Sequence, residues 1–288
     1  MTTLRRRMIE DLQLRGLSER TQEMYVRAVR QLAEHDHQSP DRITEEELRD
    51  DFLSLKNVQH YSRSARTIAL CGLKFFSTHT LRREWTTLTF VRPPREKKLP
   101  VILSPAEVRT LLACVRLPRY RVCLSTIYSC GLRLQEGTHL QGSAIDAARL
   151  RIHVRQGQGA KDRCVPLPPR ILARLRQYWG THRQPVWIFP APGRGGTGLS
   201  TASTPMPRSS LQDAFRAALQ ESGIHKRACV HTLRHSWATP RLEAGINRRL
   251  IQAYLGHQSP STTALYTHLT LQAQELAGVA INRLMEDL

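Results

Sequence analysis

Apolar residues recur at helical spacing over the first ninety positions. Tyr25, Ala28, Val29 and Leu32 share one face of a helix that Ser18 can cap. Thr44-Glu45-Glu46-Glu47 forms a capping box ahead of Leu48, Phe52 and Leu55. Ser62 to Phe76 offers a third amphipathic helix, with Arg63, Arg66 and Lys74 opposite Ile68, Leu73 and Phe76. By itself such a basic side is a solvated helix face. Val91-Arg92-Pro93-Pro94-Arg95-Glu96-Lys97-Lys98-Leu99-Pro100 breaks the pattern, and its prolines and charges predict a semi-extended linker. The helical period restarts at Ser104-Pro105-Ala106-Glu107, where N-cap, N1 proline and N3 glutamate coincide.

Beyond that point the period switches once. Leu150, Ile152 and Val154 alternate with Arg151 and His153, Gly157-Gln158-Gly159 supplies a turn, and Arg163-Cys164-Val165-Pro166-Leu167 returns. The remainder is mainly helical, apart from a loop rich in Gly, Ser, Thr and Pro from about Ala191 to Ser209. Leu269, Leu276, Val279, Ala280, Leu284 and Met285 form a closing apolar stripe that must be buried somewhere. The expected organisation is a helical domain at 1–92, a linker at 93–102 and a second domain at 103–288. The expected fold class is mainly α (α+β), with a small antiparallel sheet in the second domain.

Composition adds a partner to this picture. The formal charge is +19 over 288 residues, which points to a polyanion. Of 43 basic residues only six are lysine, and arginine's planar fork suits bidentate phosphate contact better than a point charge. An arginine-biased genome would account for that ratio but not for the net charge. Met1-Thr2-Thr3-Leu4-Arg5-Arg6-Arg7 leads into no apolar h-region, and no 18-residue apolar run occurs, so a cytoplasmic protein with no membrane span is expected. The six cysteines form no CxxC pair and read as free, mostly buried thiols.

The candidate chemistry lies in an ordered run. His231-Thr232-Leu233-Arg234-His235 is followed 22 residues later by Leu255-Gly256-His257, and nine residues after that by Tyr266. Arg133, in Gly131-Leu132-Arg133-Leu134-Gln135-Glu136, is a second fixed cation, and Glu136 three residues on could hold its guanidinium. Cleaving a phosphodiester requires a nucleophile, neutralisation of charge on the non-bridging oxygens, and a proton for the leaving oxygen. Two arginines can supply the neutralisation through bidentate hydrogen bonds. An imidazole near a tyrosine hydroxyl can take its proton, which matters because a tyrosine of pKa about 10 is otherwise protonated at neutral pH. His231 and Arg234, at i,i+3, lie on one helical face.

These residues are also where the chain resembles the tyrosine recombinases, the phage-integrase family that includes Xer-like and integron-integrase-like enzymes. His231 to Thr239 is similar to the family's second box, and Leu255-Gly256-His257, Ser261-Thr262-Thr263 and Tyr266-Thr267-His268 continue it through the nucleophile. Gly131-Leu132-Arg133 with Glu136 resembles the first box, and Gly159-Ala160-Lys161-Asp162-Arg163 with Val165-Pro166-Leu167 its β-hairpin. The resemblance implies a helical core-binding (SAM-like) domain and a mixed α/β catalytic domain closing as a clamp on double-stranded DNA sites. It implies that Tyr266 is the nucleophile, forming a 3′-phosphotyrosine with no cofactor, metal or ATP. Arg133 and Arg234 would be the phosphate clamp, His231 the acid/base, and His257 a donor to the scissile phosphate. It further implies a homotetramer on two DNA sites, with the closing stripe docked into a neighbouring protomer rather than packed on its own domain.

Two positions depart from the family pattern. Gln158 stands between two glycines where the hairpin lysine that protonates the leaving oxygen is usual, and glutamine is no acid. Lys161, three residues on, either replaces it or contacts the DNA backbone. Pro240 occupies a helical position and should end or kink the helix carrying His231 and Arg234. Three rival readings remain. His231, His235 and His257 could be metal ligands, although Arg234 between them would repel a cation and the zinc-protease glutamate is missing. A catalytically impaired DNA-binding protein of the same fold would bind without strand transfer. A type IB topoisomerase would share the chemistry but relax supercoils on DNA lacking a specific site.

Overall fold

The computed structural model describes residues 2–90, 100–155, 162–193 and 198–256 and divides the chain into two compact units, Met1–Lys97 and Lys98–Leu288. Positions 91–99, which include 93–99 of the expected linker, Gln158 and Lys161, and the chain from His257 onward with Tyr266 and the closing stripe, lie outside the described residues.

The first unit is helical. It contains α1 (Thr3–Leu14), α2 (Glu19–His35), α3 (Glu45–Asn57), α4 (Arg63–Phe75) with a π-helical extension (Phe76–Leu81), and α5 (Thr87–Phe90). The starts follow the sequence signals. Ser18 Oγ accepts from the Thr21 amide at 3.3 Å, and Ser62 Oγ from Ala65 at 3.2 Å. Glu47 Oε2 accepts from the Thr44 amide at 2.8 Å while Thr44 Oγ1 accepts from the Glu47 amide at 3.3 Å, closing the box. Val29, Leu32, Leu48, Phe52, Leu55, Leu73 and Phe76 form the core with Met8 and Leu12 of α1. The sequence did not single out α1, because its stripe is reduced to Met8 and Leu12 after a run of arginines. Arg63 and Lys74 are exposed, whereas Arg66 is half-buried.

The second unit holds α6 (Pro105–Cys114), α7 (Pro118–Cys130), α8 (Leu134–Thr138), a 3-10 turn (Gly142–Ala144), β1 (Ile145–Asp146), β2 (Arg151–Val154), β3 (Arg163–Pro166), α9 (Pro169–Gly180), a 3-10 turn (Leu199–Thr201), α10 (Arg208–Glu221), α11 (Val230–Glu243) and α12 (Arg248–Leu255). The sheet is antiparallel in the order β1-β2-β3. The β2–β3 hairpin appears where alternation predicted it, and the two-residue β1 is an addition too short to leave a pattern. Ile152 pairs with Val165 and Val154 with Arg163, so these four share the core-facing side. Leu111, Leu124, Ile127, Leu175, Phe189, Leu211, Phe215 and Leu233 fill the core behind it.

One expectation is narrowed and another needs correction. The helix carrying His231 and Arg234 does not end at Pro240 but runs on to Glu243. Proline deletes one hydrogen bond there, and Arg241 secures the following turn. Its guanidinium stacks 4.3 Å from the Trp237 ring centre and donates to the carbonyls of Trp237 at 2.9 Å and Ser129 at 3.3 Å. The cysteines are free, but only Cys123 and Cys130 are buried. Cys71, Cys164 and Cys229 are exposed. They lie on the solvent side of α4, the outward side of β3 and the N-cap of α11.

Candidate functional site

The site is built on the start of α8, the first half of α11, the end of α12 and strand β3. Helix α7 stops at Gly131, whose φ of +64° is left-handed. Only glycine suits this position, because a Cβ would also lie 2.9 Å from Cδ2 of Trp237. The chain thus turns sharply into Arg133, the N-cap of α8.

Glu136 lies one turn into α8 and is the hub. Its Oε2 accepts the Arg133 amide at 2.7 Å, and its Oε1 accepts Arg133 Nη1 at 2.9 Å. Arg163 of β3 grips the same carboxylate along its whole edge, with Nη1 2.8 Å from Oε1 and Nη2 2.6 Å from Oε2. Arg234 of α11 brings its Nη1 to 3.9 Å from Oε2. Among the described residues, one carboxylate therefore sits among three guanidinium groups, an arrangement rich in positive charge. Burial pushes the Glu136 pKa up, but the hydrogen bonds and charge of Arg163, and then those of Arg133, outweigh it and bring it to about 2.

The three arginines also meet the end of α12. Arg163 Nε donates to the carbonyl of Tyr254 at 2.8 Å, Arg234 Nη2 to that of Leu255, and Arg133 Nη2 to that of Gly256 at 3.2 Å. These carbonyls belong to the helix terminus that lacks intrahelical partners and carries the negative end of the dipole. Gly256 caps α12 with φ +59°, and its neighbour in sequence is His257. Arg234 also donates to Gly131 at 2.6 Å, so one buried side chain joins α12 to the turn before Arg133.

His231 and His235 occupy successive turns of α11, their rings edge to face with centres 4.7 Å apart. Burial and the charges of Arg234 and Arg133 lower the His231 pKa, with Glu136 pulling the other way. Burial, His231 and Arg234 bring that of His235 to about 4. Both imidazoles are thus neutral at physiological pH and can accept a proton. Trp237, fully buried, fixes this helix on α7 by donating to Ser129 at 2.9 Å. A groove of about 570 Å³ runs from Arg133 and Gln135 past His139 and Gln141 to His153 and Arg155.

The structure thus brings together Arg133, Glu136, His231 and Arg234 from the residues the sequence singled out. His257, Tyr266 and Lys161 lie outside the described residues. Among the described residues no group of three His, Cys, Asp or Glu side chains could hold a metal ion. None of the described helices is long and apolar enough to cross a membrane. Sequence reasoning gave Arg163 no role. The signal that could have found it is an arginine where hairpin alternation calls for an inward side chain.

Residues 102–273 match the phage integrase family, and residues 4–87 match the phage integrase N-terminal SAM-like domain. The protein y4qK of Sinorhizobium fredii is 38% identical over 270 residues, spanning 93% of this chain and 85% of its own length. The tyrosine recombinase XerA of Thermococcus onnurineus is 32% identical, covering 92% of each chain. A crystal structure of XerA recombinase covers 97% of this chain and 98% of its own, at 25% identity and a TM-score of 0.53. A lambda integrase dimer bound to a core site shares the fold, with a TM-score of 0.73 at 15% identity over 92% of this chain and 94% of its own. The chain belongs to the phage integrase family of tyrosine-type site-specific DNA recombinases.

Proposed function

We propose that this recombinase cleaves and rejoins DNA through a covalent 3′-phosphotyrosine at Tyr266. The observation that carries this reading is the gathering of Arg133 and Arg234 beside neutral His231, with one carboxylate for three guanidinium groups. In the proposed step the Tyr266 oxygen attacks the scissile phosphorus as His231 takes the phenolic proton. The bond from phosphorus to the 5′ oxygen breaks, and that oxygen leaves as a protonated hydroxyl. Arg133 and Arg234 neutralise the charge that grows on the non-bridging oxygens, and His257 donates to one of them. A 5′-hydroxyl from the partner strand then attacks the phosphotyrosine, giving its proton to the group that had protonated the leaving oxygen, and the diester is restored as His231 returns the phenolic proton to Tyr266. Phosphodiester energy is conserved throughout, so the scheme draws on no ATP, and the two arginines supply the charge neutralisation for which a metal would otherwise serve. Lys161 is the candidate source of the leaving-group proton in place of the glutamine at 158.

The XerH recombinase structures and the lambda integrase structure, by their descriptions, contain DNA substrates or a core site. This supports double-stranded recombination sites as the partner. We assign residues 1–92 to core-type DNA binding, 93–102 to the linker and 103–288 to catalysis, in a cytoplasmic enzyme that works as a homotetramer on two sites through its apolar C-terminal stripe. The test is a nicked cognate half-site incubated with protein in EDTA. Wild type should form a protein–DNA adduct that Tyr266→Phe does not. An adduct in the phenylalanine variant overturns the assignment, and binding without any adduct favours the catalytically impaired alternative that Gln158 suggests.

A further inference from the structure

Register places Arg163 on the core-facing side of the hairpin, opposite Val154 and two pairs beyond Ile152 and Val165. Its side chain is only 8% exposed. A guanidinium buried this far costs stability unless its donors are satisfied. Here Nη1, Nη2 and Nε are all engaged, two by Glu136 and one by the Tyr254 carbonyl.

The hydrogen bonds show which cation Glu136 chiefly serves. Arg163 contacts both carboxylate oxygens with a parallel pair of bonds, the strongest geometry available to these groups. The Arg133 side chain reaches one oxygen at 2.9 Å, and Arg234 stands off at 3.9 Å. The sequence suggested that Glu136 holds Arg133, whereas its main partner is on the hairpin.

We propose that Arg163 is a positioning residue for strand cleavage, binding Glu136 and the end of α12 so that Arg133 and Arg234 keep their charge for the phosphate. This rests on the clamp assignment above. Without Arg163 the carboxylate would retain its charge but lose its bidentate partner. The nearest replacement donors are Arg133 and Arg234, and Glu136 would then compete with the scissile phosphate for them. In this arrangement Arg163 acts by occupying a rival of the substrate, and it never touches DNA.

Loss of Arg163 should be reversible by a second substitution. On a nicked half-site, Arg163→Gln should slow adduct formation by roughly 10²-fold, the scale of a misplaced catalytic group, with half-site affinity nearly unchanged. Arg163→Lys, which can keep Glu136 but not Tyr254 as well, should fall between the two. Glu136→Gln added to Arg163→Gln should speed cleavage again, because the competing charge is gone. A double variant as slow as or slower than Arg163→Gln overturns the proposal in favour of a purely structural role, as does Arg163→Gln at full speed. If wild type itself forms no Tyr266 adduct, the functional reading fails instead. Arg163 is then judged by the carboxyl carbon of Glu136, followed by NMR through an acid titration. Protonation should begin at higher pH in Arg163→Gln than in wild type, and superimposable titrations overturn the proposal.

Discussion

Replacing Glu136 by glutamine removes one charge and almost no volume, so its effect isolates the electrostatics of the hub. The carboxylate accepts four hydrogen bonds, two from Arg163 and two from Arg133. Despite burial, they bring its pKa from the usual 4.5 to about 2. Because the folded value is depressed, the stabilisation is fully present above about 4.5 and is lost as pH falls towards 2. At about 1.4 kcal/mol per pH unit, this gap corresponds to about 3 kcal/mol at neutral pH. Glu136→Gln should therefore be about 3 kcal/mol less stable than wild type at pH 7, with about half of that difference gone by pH 3. Urea unfolding of the two proteins at both pH values measures it, and every other carboxylate cancels in the difference. A gap as wide at pH 3 as at pH 7 would mean that the charge of Glu136 is not the source of the difference, which refutes the charge hub.

Other expectations follow from the same geometry. Arg133→Lys and Arg234→Lys should each slow cleavage by about 10²–10³, with smaller effects on DNA affinity, because lysine cannot reproduce a fork that also holds α12; single-turnover adduct assays measure both. His231 has a pKa below 6.5, so its basic form persists as pH falls through 6.5 and the adduct rate should decline only below that. His231→Gln should cost about 10²–10⁴ in rate and abolish this acid limb, and an unchanged limb in the variant would assign it to another group. Gly131→Ala forces a Cβ into left-handed backbone and to 2.9 Å from the Trp237 ring. It should lower stability by at least about 1–2 kcal/mol in a thermal melt and slow cleavage through Arg234.

The helix starts were legible because capping is local chemistry. Ser18, Thr44, Ser62 and Ser104 each carry their signal within four residues and each caps a helix. The hairpin was legible because alternation is equally local. In the site, Arg133 and Arg234 stood out by residue type and neighbours, although 101 positions separate them. The partition of Glu136 between Arg133 and Arg163 was not legible. Arg133 is its neighbour at i,i+3, while Arg163 reaches it across 27 positions through a strand register that no local pattern encodes. The exposure of three cysteines was missed for a related reason, since the composition of a chain does not say which side of β3 or α4 a thiol takes.

The carbonyls of Tyr254, Leu255 and Gly256 are three consecutive acceptors, and each is taken by an arginine from a different element: β3, α11 and the start of α8. A helix end left without partners normally turns to water or a glycine cap. Here Gly256 provides the turn, and the three guanidinium groups bind the carbonyls around it. Both proposed phosphate ligands therefore have a second duty, holding the segment that leads into His257. On that assignment, a shift of α12 would change the donors available to the phosphate. Arg163 differs in having only the holding duty. That separation explains why its replacement should be reversible by removing Glu136, whereas loss of Arg133 or Arg234 should not. A donor to the phosphate cannot be restored by deleting its competitor.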